Sequence, residues 1–221
     1  MNFKPIIIVA GEPNSIFLEI FFKALSFKKY KSPIILISSK RIIELQMKKL
    51  KMKKKINLLD VSKLKKYNLN NNSINLINIK FNQKIAFTKI TNKSNKFIED
   101  CLCVAFKLIK DKFSTKFING PVSKKTFLNK KLLGMTEYIS NEFKIKKSAM
   151  LIYNKHLSVC PLTTHLPIKL IPKNINKKNI VQKVQLINKF YKKNFNKKPK
   201  IGVTGLNPHC ESIDKYNEDE K

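Results

Sequence analysis

Pro5-Ile6-Ile7-Ile8-Val9-Ala10, followed at once by Gly11-Glu12-Pro13-Asn14-Ser15, decides the fold. The first six residues form an apolar, β-branched run with no polar position. That is the pattern of a strand buried on both faces of a parallel sheet. The next five turn the chain, and Asn14 or Ser15 can cap a helix through about Phe27, with Ile16, Ile20 and Leu25 among its apolar positions. A second strand is expected at residues 33–37 and a second helix at 41–50. A βαβα opening predicts a mostly parallel sheet with flanking helices, the α/β class.

Outward from that opening the signals vary in strength. Residues 51–55 are a cationic run, read as a solvated loop, and 68–73 are an Asn-rich polar turn. Residues 74–79 and 84–87 read as short strands of an insertion or edge. Ser94 is placed as an N-cap, and Phe97, Ile98, Leu102, Ala105, Phe106 and Ile109 recur at helical spacing through residue 112. Phe117-Ile118-Asn119-Gly120-Pro121-Val122-Ser123-Lys124 reads as a strand end, a turn and the start of a helix; Lys124 there could attract an anion. Gly134-Met135-Thr136-Glu137 leads into another helix with Thr136 as its cap. Two strands, 149–153 and 157–161, flank a tight turn, which makes His156 an exposed turn histidine. A basic amphipathic helix is expected over 176–195, a short strand over 200–204, and something helical over the acidic residues 211–220.

Length and composition bound the function classes. A chain of 221 residues with a hydrophobic fraction of 43% can bury a real core. No apolar run reaches the roughly 18 residues of a membrane-spanning helix. The N-terminal run is short and lacks a cleavage pattern, so the expectation is a cytoplasmic protein with no membrane partner. The formal charge of +32 comes from 46 basic against 14 acidic residues. Nucleic acid is one reading of that charge. However, the cations are nearly all lysine, scattered along the chain with an excess of Asn and Ile. Arginine, the residue of bidentate base contacts, is nearly absent. A solvated lysine surface is the expectation, attractive to phosphorylated small molecules. Cys101, Cys103, Cys160 and Cys210 form no paired CxxC units, so a structural zinc site is not expected; Cys210 stands out only because it follows His209.

Two runs carry the chemistry: Thr163-Thr164-His165-Leu166-Pro167 and Gly205-Leu206-Asn207-Pro208-His209. Each follows an apolar segment, and each holds one of the chain's three histidines. Ligand chemistry gathers at strand ends in open α/β sheets, and two neutral imidazoles brought together there could hold a divalent metal. Taken with Gly11-Glu12-Pro13 through Glu19 and Gly120-Pro121-Val122-Ser123-Lys124, these runs resemble the 4-hydroxythreonine-4-phosphate dehydrogenase family of vitamin B6 biosynthesis. Gly134-Met135-Thr136-Glu137 is a fifth, imperfect match.

The resemblance implies a fold like that of isocitrate and isopropylmalate dehydrogenases, with two subdomains and a homodimer. It implies NAD-dependent oxidation of 4-phosphooxy-L-threonine followed by decarboxylation, on the way to pyridoxal 5'-phosphate. It assigns His165 and His209 as two of three histidine ligands of a divalent metal such as zinc, magnesium or cobalt. It assigns Thr136 to substrate, with Met135 standing where the family has a histidine. The third metal histidine and the later cofactor and phosphate motifs of the family lie beyond residue 221. The expectation is therefore one incomplete α/β catalytic domain over residues 1–221, an N-terminal portion or shortened copy. The alternative is a non-catalytic or decaying relative that binds a phosphorylated metabolite.

Overall fold

The computed structural model describes residues 3–128, 134–164 and 166–205. The chain divides into two compact units, Met1–Lys131 and Leu132–Lys221. The first is an open α/β sheet. Its elements are β1 (Ile6–Val9), α1 (Phe17–Phe27), β2 (Ile34–Ser38), α2 (Lys40–Lys49), β3 (Ile56–Leu58), β4 (Ile74–Asn78), α3 (Asn95–Lys110) and β5 (Lys116–Asn119). Short 3-10 turns at Val61–Lys66 and Asn92–Ser94 precede β4 and α3.

All five strands pair in parallel, in the order β3-β4-β2-β1-β5. The register sets Ile6 beside Ile34 on one flank of β1 and beside Lys116 on the other. β1 and the first four residues of β2 are apolar runs because helices cover both faces of the sheet. Alternation sends Ile8, Ala10, Ile34 and Leu36 into one core with Leu18, Phe21 and Phe22 of α1 and Ile42, Ile43 and Met47 of α2. The opposite residues, Ile7, Val9, Ile35 and Ile37, are equally buried, as are Phe97, Ile98, Leu102, Ala105 and Phe106 of α3. Fully burying each such side chain contributes about 1.5–3 kcal/mol. Polar residues inside the unit are tied down. Asn75 donates to Ile34 O at 3.0 Å and Asn70 O at 2.6 Å. Asn71 accepts from Ile34 N at 2.9 Å and donates to Tyr30 O and Ser32 O, so the Asn-rich turn clamps the approach to β2.

The chain grows from β1 outward through β2 and then returns to the far side of β1 with β5. The switch in direction therefore falls between β1 and β5, and their carboxyl ends flank the crevice where open α/β sheets take ligands.

The second unit contains α4 (Met135–Glu142), a 3-10 turn (Ile168–Leu170), α5 (Ile171–Asn174) and α6 (Lys177–Phe195). Asn176 caps α6 by accepting from Asn179 N at 2.9 Å, and Asn196 ends it in the left-handed conformation, φ 51°. Tyr153 stacks on Phe195 with ring centroids 5.3 Å apart, and Tyr191 donates to Ser158 Oγ at 2.8 Å. Among the described residues of this unit only Gly134 is buried, and the apolar stripe of α6 is half-exposed.

Several expectations are corrected. The strand expected at 74–79 is β4, but it lies inside the sheet between β2 and β3 rather than at an edge or in an insertion; residues 84–87 form no strand and belong to a loop held by side chains, described below. The two strands expected around residue 155 reduce to one antiparallel bridge, Ile152 with Val159, because no further strand extends the pairing. His156 is exposed at that turn, as expected. Residues 200–204 form no strand. No helix begins at Val122 or Ser123; residues 124–127 form a turn. The strand β3 had no sequence expectation, being only three residues long behind a lysine run. No helix among the described residues is long and apolar enough to cross a membrane. The expectations at His165, at residues 205–209 beyond Gly205, at Cys210 and at 211–220 lie outside the described residues.

Candidate functional site

Two of the quoted motifs, more than a hundred residues apart in sequence, meet at the β1/β5 switch point. The Glu12 N–H donates to Pro121 O at 2.8 Å, and the Gly120 N–H donates to Val9 O at 2.7 Å. The approach is closer than side chains permit. A Cβ on Gly120 would stand 2.0 Å from Ala10 O, and one on Gly11 would stand 2.4 Å from Pro121 O. Gly11 also has φ +74°, a left-handed conformation that glycine adopts without strain. The glycines of both motifs are therefore explained by backbone pressed on backbone.

Glu12 sits in this junction, 3% exposed. Its carboxylate accepts from Ser94 Oγ at 2.7 Å on one oxygen, and from Asn14 N at 3.2 Å and Asn14 Nδ2 at 3.4 Å on the other. A buried carboxylate needs such donors to offset its lost hydration. Ser94 stands at the N-cap position of α3, yet its hydroxyl makes no capping bond; it serves Glu12 and Thr91 O instead. Neither Asn14 nor Ser15 occupies the N-cap position of α1, which falls on Ile16 with no side-chain cap bond. Ser15 folds back to donate to Glu12 O at 2.8 Å and accepts from Phe17 N at 3.3 Å. Sequence reading missed the pairing of Glu12 with Ser94 across 82 positions. The available signal was an acidic residue set directly after a buried strand.

Beyond Pro121, Ser123 accepts from Thr126 N at 3.2 Å and so shapes the turn that carries Lys124, whose side chain is exposed. Asn95 donates to Thr126 O at 2.9 Å, while Asn95 Oδ1 and Thr126 Oγ1 are buried with no hydrogen-bond partner.

Met135 and Thr136, the residues expected at substrate, open α4 and are both half-buried. Thr136 is not the cap: Gly134 takes the N-cap position in extended conformation, and the helix begins at Met135. Glu137 completes the first turn, where a carboxylate favours the positive end of the helix dipole. Its Oε2 is buried with no hydrogen-bond partner, 3.1 Å from where a Cβ on Gly134 would stand. Thr163 and Thr164 are half-buried in an irregular segment.

His165 and His209 both lie outside the described residues, so the metal expectation acquires no distances. Among the described residues, no group of three or more His, Cys, Asp or Glu side chains could hold a metal ion. Cys101 and Cys103 point in different directions from α3, the first buried and the second exposed; burial, then the nearby Asp100 charge, raises the Cys101 thiol pKa out of the reactive range.

A family model described as pyridoxal phosphate biosynthetic protein PdxA matches residues 29–221. A Sulfurihydrogenibium sp. (strain YO3AOP1) protein named 4-hydroxythreonine-4-phosphate dehydrogenase is 32% identical over 209 residues, which are 92% of this chain and 63% of that protein. Among solved structures, the Klebsiella pneumoniae enzyme of that name superposes with a TM-score of 0.80 at 20% identity, over 94% of this chain and 65% of that one. The Burkholderia phymatum enzyme gives a TM-score of 0.77 at 19% identity, over 94% and 64%. At these identities the two structures establish the fold, an isocitrate/isopropylmalate dehydrogenase-like α/β arrangement. The chain spans a little under two thirds of the length of the relatives it matches.

Proposed function

Because the chain belongs to the pyridoxal phosphate biosynthetic protein PdxA family, we propose that it forms part of a cytoplasmic 4-hydroxythreonine-4-phosphate dehydrogenase. The observation that carries this reading is the family match across residues 29–221. It is supported by the Gly11-Glu12-Pro13 and Gly120-Pro121 loops, which close on each other at the ligand end of the sheet. The substrate is 4-phosphooxy-L-threonine, the oxidant NAD, and the working form a homodimer. The lysine-rich surface raises the local concentration of a phosphorylated substrate.

His165 and His209 are the proposed metal ligands. Two neutral imidazoles suit a divalent ion such as zinc or cobalt and leave its remaining positions open. Such an ion, when bound, supplies Lewis-acid stabilisation of negative charge on a substrate oxygen. Of the chain's described residues, Thr136 is the proposed substrate contact. Its hydroxyl, in the first turn of α4, can donate to a substrate oxygen, whereas Met135 beside it has only a weakly accepting thioether. Glu12 takes no part in proton transfer in this reading; with Ser94 it holds the loops at the switch point in place.

Met135 favours a second reading, in which the chain binds the phosphorylated metabolite without turning it over. Metal titration and turnover separate the two. Zinc or cobalt titrated into the 221-residue protein should bind, and His165→Ala and His209→Ala should each weaken that binding strongly; unchanged affinity in both removes the metal role. Metal-dependent NADH formation from 4-phosphooxy-L-threonine by the full-length protein supports the dehydrogenase, and an active His209→Ala variant of it refutes the role given to His209. Substrate binding by the full-length protein with no NADH formed selects the second reading.

A further inference from the structure

Residues 79–94 leave the end of β4 and reach α3 by crossing the carboxyl ends of β2 and β1. Both ends of this segment are anchored. Ile79 N–H donates to Ser38 O at 2.9 Å, and Phe81 packs on Phe97 with ring centroids 4.9 Å apart. At the far end Ser94 donates to Glu12. Its middle has little burial: Ile85 is 69% exposed, Ile90 is 41% exposed, and Lys84, Thr88 and Lys89 are exposed.

One atom holds that middle. Asn14 Oδ1 accepts from Gln83 Nε2 at 2.8 Å, from Thr88 N–H at 2.9 Å and from Thr88 Oγ1 at 3.1 Å. Arg41 Nε adds a longer bond to Gln83 O at 3.4 Å. Between the residues that Asn14 grips lies Phe87, with φ 59°. A bulky aromatic residue resists that left-handed conformation, which persists only where surrounding contacts impose it. The segment is thus bent against its own backbone preference by a side chain from the β1–α1 turn.

We propose that residues 79–94 are a strap latched across the carboxyl end of the sheet by Asn14, and that release at Asn14 uncovers that end. A segment with few buried contacts and one concentrated set of hydrogen bonds opens locally without global unfolding. Ligands of open α/β sheets arrive at this end, so the strap lies in their path. The latch stands on the geometry of the first unit; its use in ligand exchange rests on the proposed function.

Limited trypsin digestion of the intact 221-residue chain, with cleavage sites mapped by mass spectrometry, tests it. Asn14→Ala removes all three bonds to Asn14 Oδ1, and Gln83→Ala removes one of these, together with the Gln83 Nε2 to Ile85 O bond inside the strap, without altering the β1–α1 turn. Cleavage after Lys84 and Lys89 should be about tenfold faster in Asn14→Ala, in line with the loss of three hydrogen bonds each at the low, solvent-exposed end of its net contribution, and should rise less in Gln83→Ala. Cleavage after Lys107, in α3, should not change. Equal rates at Lys84 and Lys89 in Asn14→Ala and the parent overturn the latch, as does an acceleration that extends equally to Lys107. Neither result depends on turnover, so a failed activity assay and a failed latch remain distinguishable.

Discussion

Replacing Gly120 with Ala should damage the first unit far more than one methyl group ordinarily does. The added carbon would meet Ala10 O at 2.0 Å, Ala10 C at 2.6 Å and Phe17 Cγ at 3.1 Å. The two nearest atoms are backbone of the segment that continues β1, so no side-chain rotation relieves the clash. The strands must part by about 1 Å, an overpacking displacement that costs about 1–3 kcal/mol. The same movement stretches two backbone hydrogen bonds, Gly120 N–H to Val9 O at 2.7 Å and Glu12 N–H to Pro121 O at 2.8 Å. Each is worth about 1 kcal/mol, which brings the total to about 3–5 kcal/mol. With a urea m-value of about 2 kcal/mol/M, the unfolding midpoint falls by about 2 M. Urea unfolding followed by far-ultraviolet circular dichroism measures this directly. Gly202→Ala is the control, because nothing lies within 4 Å of a Cβ there. A Gly120→Ala loss below about 1 kcal/mol would refute the argument that the two loops are in backbone contact.

Ser94→Ala should cost about 2 kcal/mol, because it strips a 2.7 Å hydrogen bond from a buried carboxylate while removing no capping bond. A double-mutant cycle with Glu12→Gln should show coupling of about 1 kcal/mol or more; strictly additive losses would contradict the pairing. Alkylation by iodoacetamide should label Cys103 and spare Cys101 in the folded protein, since Cys101 is buried and its thiol pKa is raised. Mass spectrometry showing equal labelling would mean that α3 does not pack on the sheet as described.

The parallel sheet was legible because β1 and β2 are strands buried on both faces, and runs such as Ile6-Ile7-Ile8-Val9 permit little else; β4 was legible as a strand but not as an interior one, because Asn75 and Asn78 interrupt its apolar run. Helix α3 was legible through the apolar stripe it buries. What failed were segments whose structure depends on a distant side chain. Residues 84–87 carry strand-forming residues, yet Asn14, 69 and 74 positions away from Gln83 and Thr88, decides their path. The caps failed likewise: Ser94 and Ser15 were well chosen by local rules, but Glu12 offered each a competing partner, a carboxylate for one and a carbonyl for the other. Thr136 lost its expected place because Gly134 could take the extended N-cap conformation first. At the candidate site, the quoted glycine motifs announced a meeting of loops, and the geometry supplied the reason. The histidine motifs announce metal chemistry that the described residues leave to experiment.

The position of β1 has a consequence during synthesis. Its first neighbour, β2, emerges from the ribosome soon after it, but its other flank waits for β5, and register pairs Ile6 with Lys116, 110 positions later. At bacterial and eukaryotic elongation rates that interval is about 5–20 s. Through it, an uncharged Ile-Ile-Ile-Val edge stands open to any strand that passes, the kind of edge that templates aggregation. The nascent chain is therefore most in need of chaperone cover between the appearance of β1 and the arrival of Gly120. When that glycine slides against Ala10, the vulnerable edge closes.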